Sequence, residues 1–564
     1  MNVLKRMNLL SSFEGYSSKR IGPDLIAGLT VWAVLVPEAL AYATIAGVSP
    51  VVGLYAAPSA LVLYAIFGSS RHLVVGPMAA TAALSAAAIA DVHTNVNPLI
   101  LTAGLALVVG VLGLIAAFAR LGFLASFISE PVLKGFIIGL ALVIIIGQVP
   151  KLFGVPGGEG DFFEKTWDLI SHLGDTQVWT LLVGAGSLAT VLLLRRFAPK
   201  LPAPLIAVGL GIAAVSAFGL ADKGVEIVGH IDSGLPHLGV PDMEWSDYMG
   251  LAGAAVGILL VGFAEGLGAA KTYAQKEHYT IDPNKELLGL GTVNLASGLS
   301  SGMVVNGSLS KTAVNGAAGA TSQLSGLFVA VLTVVTLLFL TGLFENLPEA
   351  TLAAVVIAAV IELVDINALR KLYRLYSTQL GQIYGAATRS DLIAAIAAML
   401  GVLIFDTLPG LFIGIGVSVL LLVYRSSRPH VAILGQAADG TRWVDRDRHA
   451  NTIPTPGVLV VRPESELFYA NADNVHSAIR DNLDEQTYAV VVDAANVPMI
   501  DITAAKMLID LDEDLERRGV KLLLARDIGQ VRDLLEAAGA GELVSRTYPS
   551  VALAVNACSK TPPA

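Results

Sequence analysis

The sequence predicts an all-α polytopic membrane domain of about 14 spans, arranged as a seven-plus-seven inverted repeat with two broken helices, followed by a small cytoplasmic α/β domain. Three observations carry that expectation. Of 564 residues, 54% are hydrophobic and only 15% are charged, with a mean hydropathy of +0.68, whereas soluble domains are roughly a quarter charged. Apolar runs long enough to cross ~30 Å of hydrocarbon recur from Asp24 to Tyr424. Two of those runs, the third and the tenth, are short and interrupted in the same way.

In order, the spans fall at 24–44, 51–68, 73–90, 97–119, 131–150, 178–197, 202–219, 249–270, 285–302, 306–317, 321–343, 350–365, 389–407 and 409–424. With the N-terminus inside, nineteen lysines and arginines, from Lys5 and Arg6 through Arg71, Lys200 and Lys371 to Arg428, face the cytoplasm. Only Lys151, Lys165 and Lys223 face the other side. This is the asymmetry of a multi-pass protein of the cytoplasmic membrane with both termini cytoplasmic. Ala39-Leu40-Ala41 imitates a signal-cleavage site, but equally apolar segments follow, so the stretch reads as the first span. His72, beside Arg71 at a membrane boundary, reads as interfacial, and Gln148 near the end of the fifth span is either a site residue or a satisfied helix-end amide.

The third and tenth segments, LVVGPMAATAALSAA (73–87) and MVVNGSLSKTAVNGA (303–317), match in design. Each has a β-branched pair, Val74-Val75 or Val304-Val305, then a breaker, Gly76-Pro77 or Asn306-Gly307, then small residues. They lie seven spans apart, and an odd number of spans inverts the second copy. Paired interruptions in corresponding places point to a midplane binding site. A helix that starts in mid-membrane leaves N–H groups unpaired, and these carry the positive end of the helix dipole. Two such starts facing each other form an anion site. Pro77 fits a first-turn position, Ser308 and Ser310 add hydroxyl donors, and Lys311 adds a full positive charge.

Glu265, in ILLVGFAEGLGAA, stands far along an apolar span, where an ionisable group is a functional candidate by default. Glu38, which follows Pro37 inside the first span, is a second candidate for ion coupling, with a capped residue filling a glutamine-like place as the alternative. The formal net charge of −10 argues against a nucleic-acid partner. A single cysteine, Cys558, excludes an intrachain disulfide framework and a cysteine-rich metal site. No glycine loop for a nucleotide, metal-spaced cluster or nucleophile–base pair stands out, so neither an ATP-driven pump nor an enzyme is supported, and no cofactor is expected beyond a coupling H+ or Na+.

At this point the chain resembles a known family. LVPEALAYATIAGVSPVVGLYAA (35–57), GSSRHLVVGP (68–77), LGFLASFISEPVLKGFIIG (121–139) and NLASGLSSGMVVNGSLSKTAVN (294–315) are similar, in order, to signature segments of the SulP family, the sulfate permeases. The resemblance implies a core and a gate moving by elevator-like alternating access, a cytoplasmic STAS domain and often a homodimer. It implies an anion site between the broken helices, formed by Tyr42, Gly76, Pro77, Ser308, Leu309, Ser310 and Lys311, with a coupling acid at Glu265. The chain departs from the usual pattern at Lys311, where many relatives have arginine, near Val304, where many have proline, and at Glu38, where glutamine is common.

The expected division is a transmembrane domain over 1–428, a linker over 429–452 and a STAS domain over 453–564. In the last, GVLVVRPES, YAVVVDAANV and VKLLLARD read as strands between amphipathic helices, an α/β alternation. Asp501-Ile502-Thr503-Ala504 is similar to the loop that carries a regulatory Ser/Thr in some relatives, which makes Thr503 a regulatory candidate, while Asp501 also suits a helix N-cap. The leading expectation is secondary transport of a small inorganic anion, first sulfate, by proton symport through the lipid bilayer. Sodium-coupled bicarbonate or proton-coupled dicarboxylate transport are the alternatives within transport. An anion-sensing scaffold that binds cytosolic proteins through STAS is the alternative of another class.

Overall fold

The computed structural model describes residues 9–559 apart from 93, 95, 124–128, 159, 200, 232, most of 362–384, 406, 439, 441 and 450. Lys5, Arg6, Lys200 and Lys371, counted above among the cytoplasmic cations, lie outside the described residues, as does the end of the 350–365 span. The chain forms two compact units, Met1–Ser418 and Val419–Ala564.

In the first unit a helix or half-helix stands at each expected span. The first repeat holds α1 (Ile21–Ile45), α2 (Val51–Phe67), strand β1 (Val74–Gly76) leading into α3 (Ala79–Ala90), α4 (Pro98–Phe118) and α5 (Glu130–Phe153). A surface helix, α6 (Phe162–His172), precedes α7 (Val178–Phe197) and α8 (Ala203–Phe218). The second repeat holds α9 (Trp245–Lys276), α10 (Pro283–Leu299), strand β2 (Asn306–Ser308) leading into α11 (Leu309–Ala317), α12 (Leu324–Val335), α13 (Glu349–Ile361), α14 (Gly385–Phe405) and α15 (Thr407–Ser427). Among the described residues, seven helices are long and apolar enough to cross a membrane unaided.

Close helix contacts replace the hydrophobic drive that lipid removes, and small residues permit them. The α4–α10 seam shows this: a Cβ on Gly110 would stand 2.4 Å from the Leu295 nitrogen, and one on Gly291 2.7 Å from the Leu114 nitrogen. The span at 321–343 is not one regular helix. After α12 it passes through a π turn, Thr336–Leu340, and a 3₁₀ turn, Thr341–Phe344. Thr336 marks the change: its Oγ1 donates to the Leu332 carbonyl (2.9 Å) and accepts from Trp32 Nε1 (3.0 Å). Sequence reading also passed over α6, although its capping box, Asp161 with Glu164, is a legible start signal.

In the second unit, β3 (Val431–Ala437), β4 (Trp443–Asp445), β5 (Thr452–Ile453), β6 (Val458–Pro463), β7 (Ala489–Asp493), β8 (Lys521–Ala525) and β9 (Thr547–Tyr548) form one sheet in the order β4-β3-β6-β7-β8-β9, with β5 on β3. β6 to β9 run parallel, and β3 joins β6 antiparallel. The helices α16 (Ala472–Asp481), α17 (Ile502–Arg517), α18 (Gly529–Ala537), α19 (Gly541–Ser545) and α20 (Val551–Ser559) complete it. Val475, Ile479, Leu508 and Leu511 pack on one face of the sheet, and Val551, Ala554 and Val555 on the other. The expected linker at 429–452 is a correction: it contains β3 and β4, and Ala432 and Leu434 are buried in the core under β6. Gly435 and Gln436 had weakened the apolar alternation of VAILGQA below recognition as a strand.

Candidate functional site

The two interrupted segments meet. β1 and β2 pair antiparallel, Val74 with Ser308, Val75 with Gly307 and Gly76 with Asn306, and all six residues are buried. Backbone that breaks from a helix inside the membrane unit thus finds its partners in the other repeat. Gly76 faces its own counterpart, Asn306, so the local two-fold axis passes between them.

Each strand runs into a half-helix. Ser308 caps α11, its Oγ accepting from the Lys311 backbone N–H at 3.3 Å. Ser308 Oγ also lies 3.2 Å from Ser310 Oγ. Leu309 (54% exposed) and Ser310 form the open face of that first turn. α3 begins at Ala79 with Met78 as its cap. Pro77 therefore precedes the cap, a correction to its expected first-turn place. Its carbonyl, freed from any helix, accepts from Lys311 Nζ at 3.1 Å.

Lys311 is the centre of the arrangement. It is 1% exposed, its Nζ stands 5.0 Å from the centre of the Tyr42 ring, and it lies 2.9 Å from Oε2 of Glu38, itself 2% exposed. Glu38 and Tyr42 stand one turn apart on α1, so one helix face delivers both. Oε2 meets the ammonium in ion-pair contact but outside hydrogen-bond alignment. The structure thus brings Tyr42, Pro77, Ser308, Lys311 and Glu38 together. A positive side chain and two half-helix starts favour an anion, and the Tyr42 ring face helps to hold the lysine.

Glu265 stands on α9 with Oε2 buried and without a hydrogen-bond partner. The ion pair to Lys311 belongs to Glu38, not to Glu265. Flanking glycines bring α9 against β2: a Cβ on Gly262 would lie 3.2 Å from Asn306 Cγ, and one on Gly266 3.1 Å from Asn306 Oδ1. Both polar atoms of the Asn306 side chain are buried without a partner. Sequence reading treated Asn306 only as a breaker.

Other residues also sit differently from expectation. His72 is not interfacial. It is 4% exposed, stacked against Tyr273 and Tyr279, and its ring nitrogens lie 3.2 Å from Tyr279 Oη and 3.0 Å from the Ala320 carbonyl. Its neighbourhood is anchored by Glu286, which accepts from Tyr64 Oη (2.7 Å) and the Ser69 and Ser70 backbone N–H groups (2.8 and 3.1 Å). Sequence reading did not single out Glu286. Gln148 is buried on α5 with an unpartnered Oε1, and among the described residues no hydrogen bond ties it to the half-helix starts. In the second unit Thr503 is exposed in the first turn of α17, and Asp501 is the cap, accepting from the Ala504 N–H at 2.8 Å.

Comparison with known proteins gives this geometry relatives. Residues 21–386 match the sulfate permease family and residues 449–554 the STAS domain. A probable sulfate transporter of Mycobacterium tuberculosis is 35% identical over 93% of this chain and 93% of its own length. Sulfate transporter 1.3 of Arabidopsis thaliana is 30% identical over 96% of this chain and 86% of its own length. Among solved structures, murine solute carrier 26 family member A9, an anion transporter in the inward-facing state, aligns with a TM-score of 0.87 at 22% identity, covering 100% of this chain and 95% of that one. The transmembrane domain of a cyanobacterial bicarbonate transporter aligns with a TM-score of 0.61 at 22% identity over 71% of this chain and 98% of that one. Signature segments, paired half-helices and full-length relatives agree: this chain belongs to the sulfate permease family, with a STAS domain at its C-terminal end.

Proposed function

We propose that the protein is a secondary active transporter that carries a small inorganic anion, first of all sulfate, across the cytoplasmic membrane together with protons. One observation carries the reading: two half-helix starts, joined by β1 and β2, converge on a buried lysine beside Tyr42. A scaffold needs no such arrangement. Tyr42, Gly76, Pro77, Ser308, Leu309, Ser310 and Lys311 form the proposed anion site. Sulfate is the first choice because full-length relatives carry that name. Both termini are read as cytoplasmic from the charge asymmetry, the cycle as elevator-like alternating access, the assembly as a homodimer, and Thr503 as a regulatory position. The transport machinery is assigned to 1–428.

Glu265 is the proposed coupling acid. A carboxyl with a buried, unpartnered oxygen is tolerated where it works. An anion nearby favours its protonated form, and by reciprocity its protonation tightens anion binding by the same factor. Proton and anion then load together. The test is anion-driven proton movement in proteoliposomes at several pH values, with sodium varied separately, in wild type and Glu265→Gln. The variant should keep anion exchange while losing proton flux and concentrative uptake. Unchanged proton flux removes Glu265 from the mechanism, and flux that follows sodium instead replaces the proton as coupling ion.

A further inference from the structure

The seam between α4 and α10 opens at one end into a cleft. Where α4 stops and α10 starts there is a space of about 410 Å3, walled by Phe118 and Leu288 and edged by Arg120, Lys285, Asn284 and Asp282. Two cations thus face one acid, and the cleft keeps a net positive charge. Asp282 is also engaged as the cap of α10, accepting from the Asn284 and Lys285 backbone N–H groups at 2.9 and 3.4 Å.

Arg120 occupies a place that usually goes to glycine. Its φ is +58°, in the left-handed region, where a Cβ is strained. α5 and α8 end on residues of the same conformation, and there the chain has Gly154 (φ +67°) and Gly219 (φ +56°). An outlier of this kind points to a use for the side chain. The turn that carries Arg120 is tied to the helix that carries Lys285, since the Gly122 N–H donates to Asn284 Oδ1 at 2.9 Å.

A second feature identifies what the cations meet. Val111, Ile115 and Phe118 line one face of α4 and are 46%, 58% and 70% exposed. At 1.5 Å per residue this apolar track runs about 14 Å from Val111 to Arg120. A track that leads to two cations fits a ligand with an acyl chain and an anionic head. We propose that the cleft seats an anionic phospholipid, its phosphate on Arg120 and Lys285 and one chain along Val111, Ile115 and Phe118. Basic pockets between membrane helices take such head groups on the cytoplasmic side, and this end of the bundle is cytoplasmic in the orientation proposed above. A soluble phosphate has no use for the track.

The lipid also touches the helix that braces both broken segments. Lys285 precedes Glu286, which holds the Ser69 and Ser70 N–H groups ahead of β1. Further along α10, the Asn294 amide donates to the Val305 carbonyl and accepts from the Val305 N–H, both at 2.9 Å, ahead of β2. A head group that fixes the start of α10 therefore steadies the half-helix starts.

The test is native mass spectrometry of the purified full-length protein in detergent, titrated with phosphatidylglycerol or with phosphatidylcholine of the same acyl chains. A Lys or Arg near a membrane surface is worth about fivefold in binding an anionic lipid. The preference of wild type for phosphatidylglycerol should fall about fivefold in Lys285→Gln and about 25-fold when Arg120→Gln is added. Arg120→Gly separates the lipid from the fold: glycine relieves the strained φ, so this variant should melt no lower than wild type and still lose about fivefold. An arginine that only ends the helix predicts an unchanged preference, and that result in Arg120→Gly and Lys285→Gln overturns the proposal. Inorganic phosphate should leave bound phosphatidylglycerol in place; displacement makes the cleft a site for soluble anions and overturns it too. So does phosphatidylglycerol bound to monomers but excluded from dimers, which would mean that a second copy fills the cleft. The orientation is checked separately, by labelling Arg120→Cys in a Cys558→Ala background in sealed cells with an impermeant maleimide. Labelling from outside reverses the leaflet, whereas the lipid preference measured in detergent does not depend on it.

Discussion

Replacing Lys311 by methionine should destabilise the protein far more than the loss of one surface charge would. The substitution removes the one cation that pairs with Glu38 among the described residues, and Glu38 is 2% exposed. A buried ion pair broken from one side leaves an uncompensated charge, typically at about 3–5 kcal/mol. Replacing both partners, Glu38→Leu with Lys311→Met, removes the charge along with its counter-ion. Such exchanges are commonly neutral or stabilising by about 1–4 kcal/mol. The double variant should therefore be more stable than the single one although it carries more changes, and the cycle should show a coupling of several kcal/mol where distant sites would add within about 0.5 kcal/mol. Thermal unfolding in one detergent, followed by the monodisperse fraction on size exclusion for all four proteins, measures this. A Lys311→Met protein as stable as wild type at neutral pH, or a double variant no better than the single, refutes a buried pair.

Gly266→Val should push its side chain into Asn306, since even a Cβ would stand 3.1 Å from Oδ1. Overpacking of that kind is worth about 1–3 kcal/mol, and sulfate binding should weaken with it. A fragment of residues 429–559 should fold in solution, and one starting at 440 should be less stable by roughly 1.5–3 kcal/mol, the worth of burying a leucine such as Leu434; equal denaturant midpoints would remove β3 from the domain's core. In the same fragment, burial raises the Asp445 carboxyl, but the His430 hydrogen bond, the Asp447 N–H and the charges of His430 and Arg448 outweigh it and hold the group below its ordinary value. Its ionised form therefore contributes stability above the ordinary carboxylate range that is lost as pH falls through the lowered value. Asp445→Asn should cost about 1 kcal/mol near neutrality, discounted because His430 is half-exposed, and flatten the acid limb of urea melts against pH.

Most of the helical scaffold was legible because lipid imposes a length and a composition that a single sequence cannot hide. The half-helices were legible for the same reason, since Gly76-Pro77 and Asn306-Gly307 interrupt runs that otherwise had none. What stayed hidden was pairing. Glu38 and Lys311 were each noted as departures from a familiar pattern, yet some 270 positions apart nothing along the chain says that they touch; only the antiparallel crossing of the two repeats brings them within 2.9 Å. His72 was misjudged, and Glu286 passed over, because a residue at the edge of an apolar run looks interfacial until the turn beside it folds inward, as the one after α2 does onto Glu286. β3 was missed because its partner β6 supplies much of what makes it a strand.

The three-residue ladder between β1 and β2 also sets a timetable for biogenesis. Val74–Gly76 leaves the ribosome roughly 230 residues before Asn306–Ser308, an interval of about 10–50 s at ordinary elongation rates. Until its partner arrives, the early strand has N–H and C=O groups that no helix closes, and hydrocarbon cannot hold such a segment. The third segment therefore has to wait at the translocon or the headgroup layer while seven later ones are made, and it enters only when the tenth comes to meet it. Maturation of this protein has a late closing step, and slowing synthesis between the two repeats should lengthen the window in which quality-control proteases find the first one open.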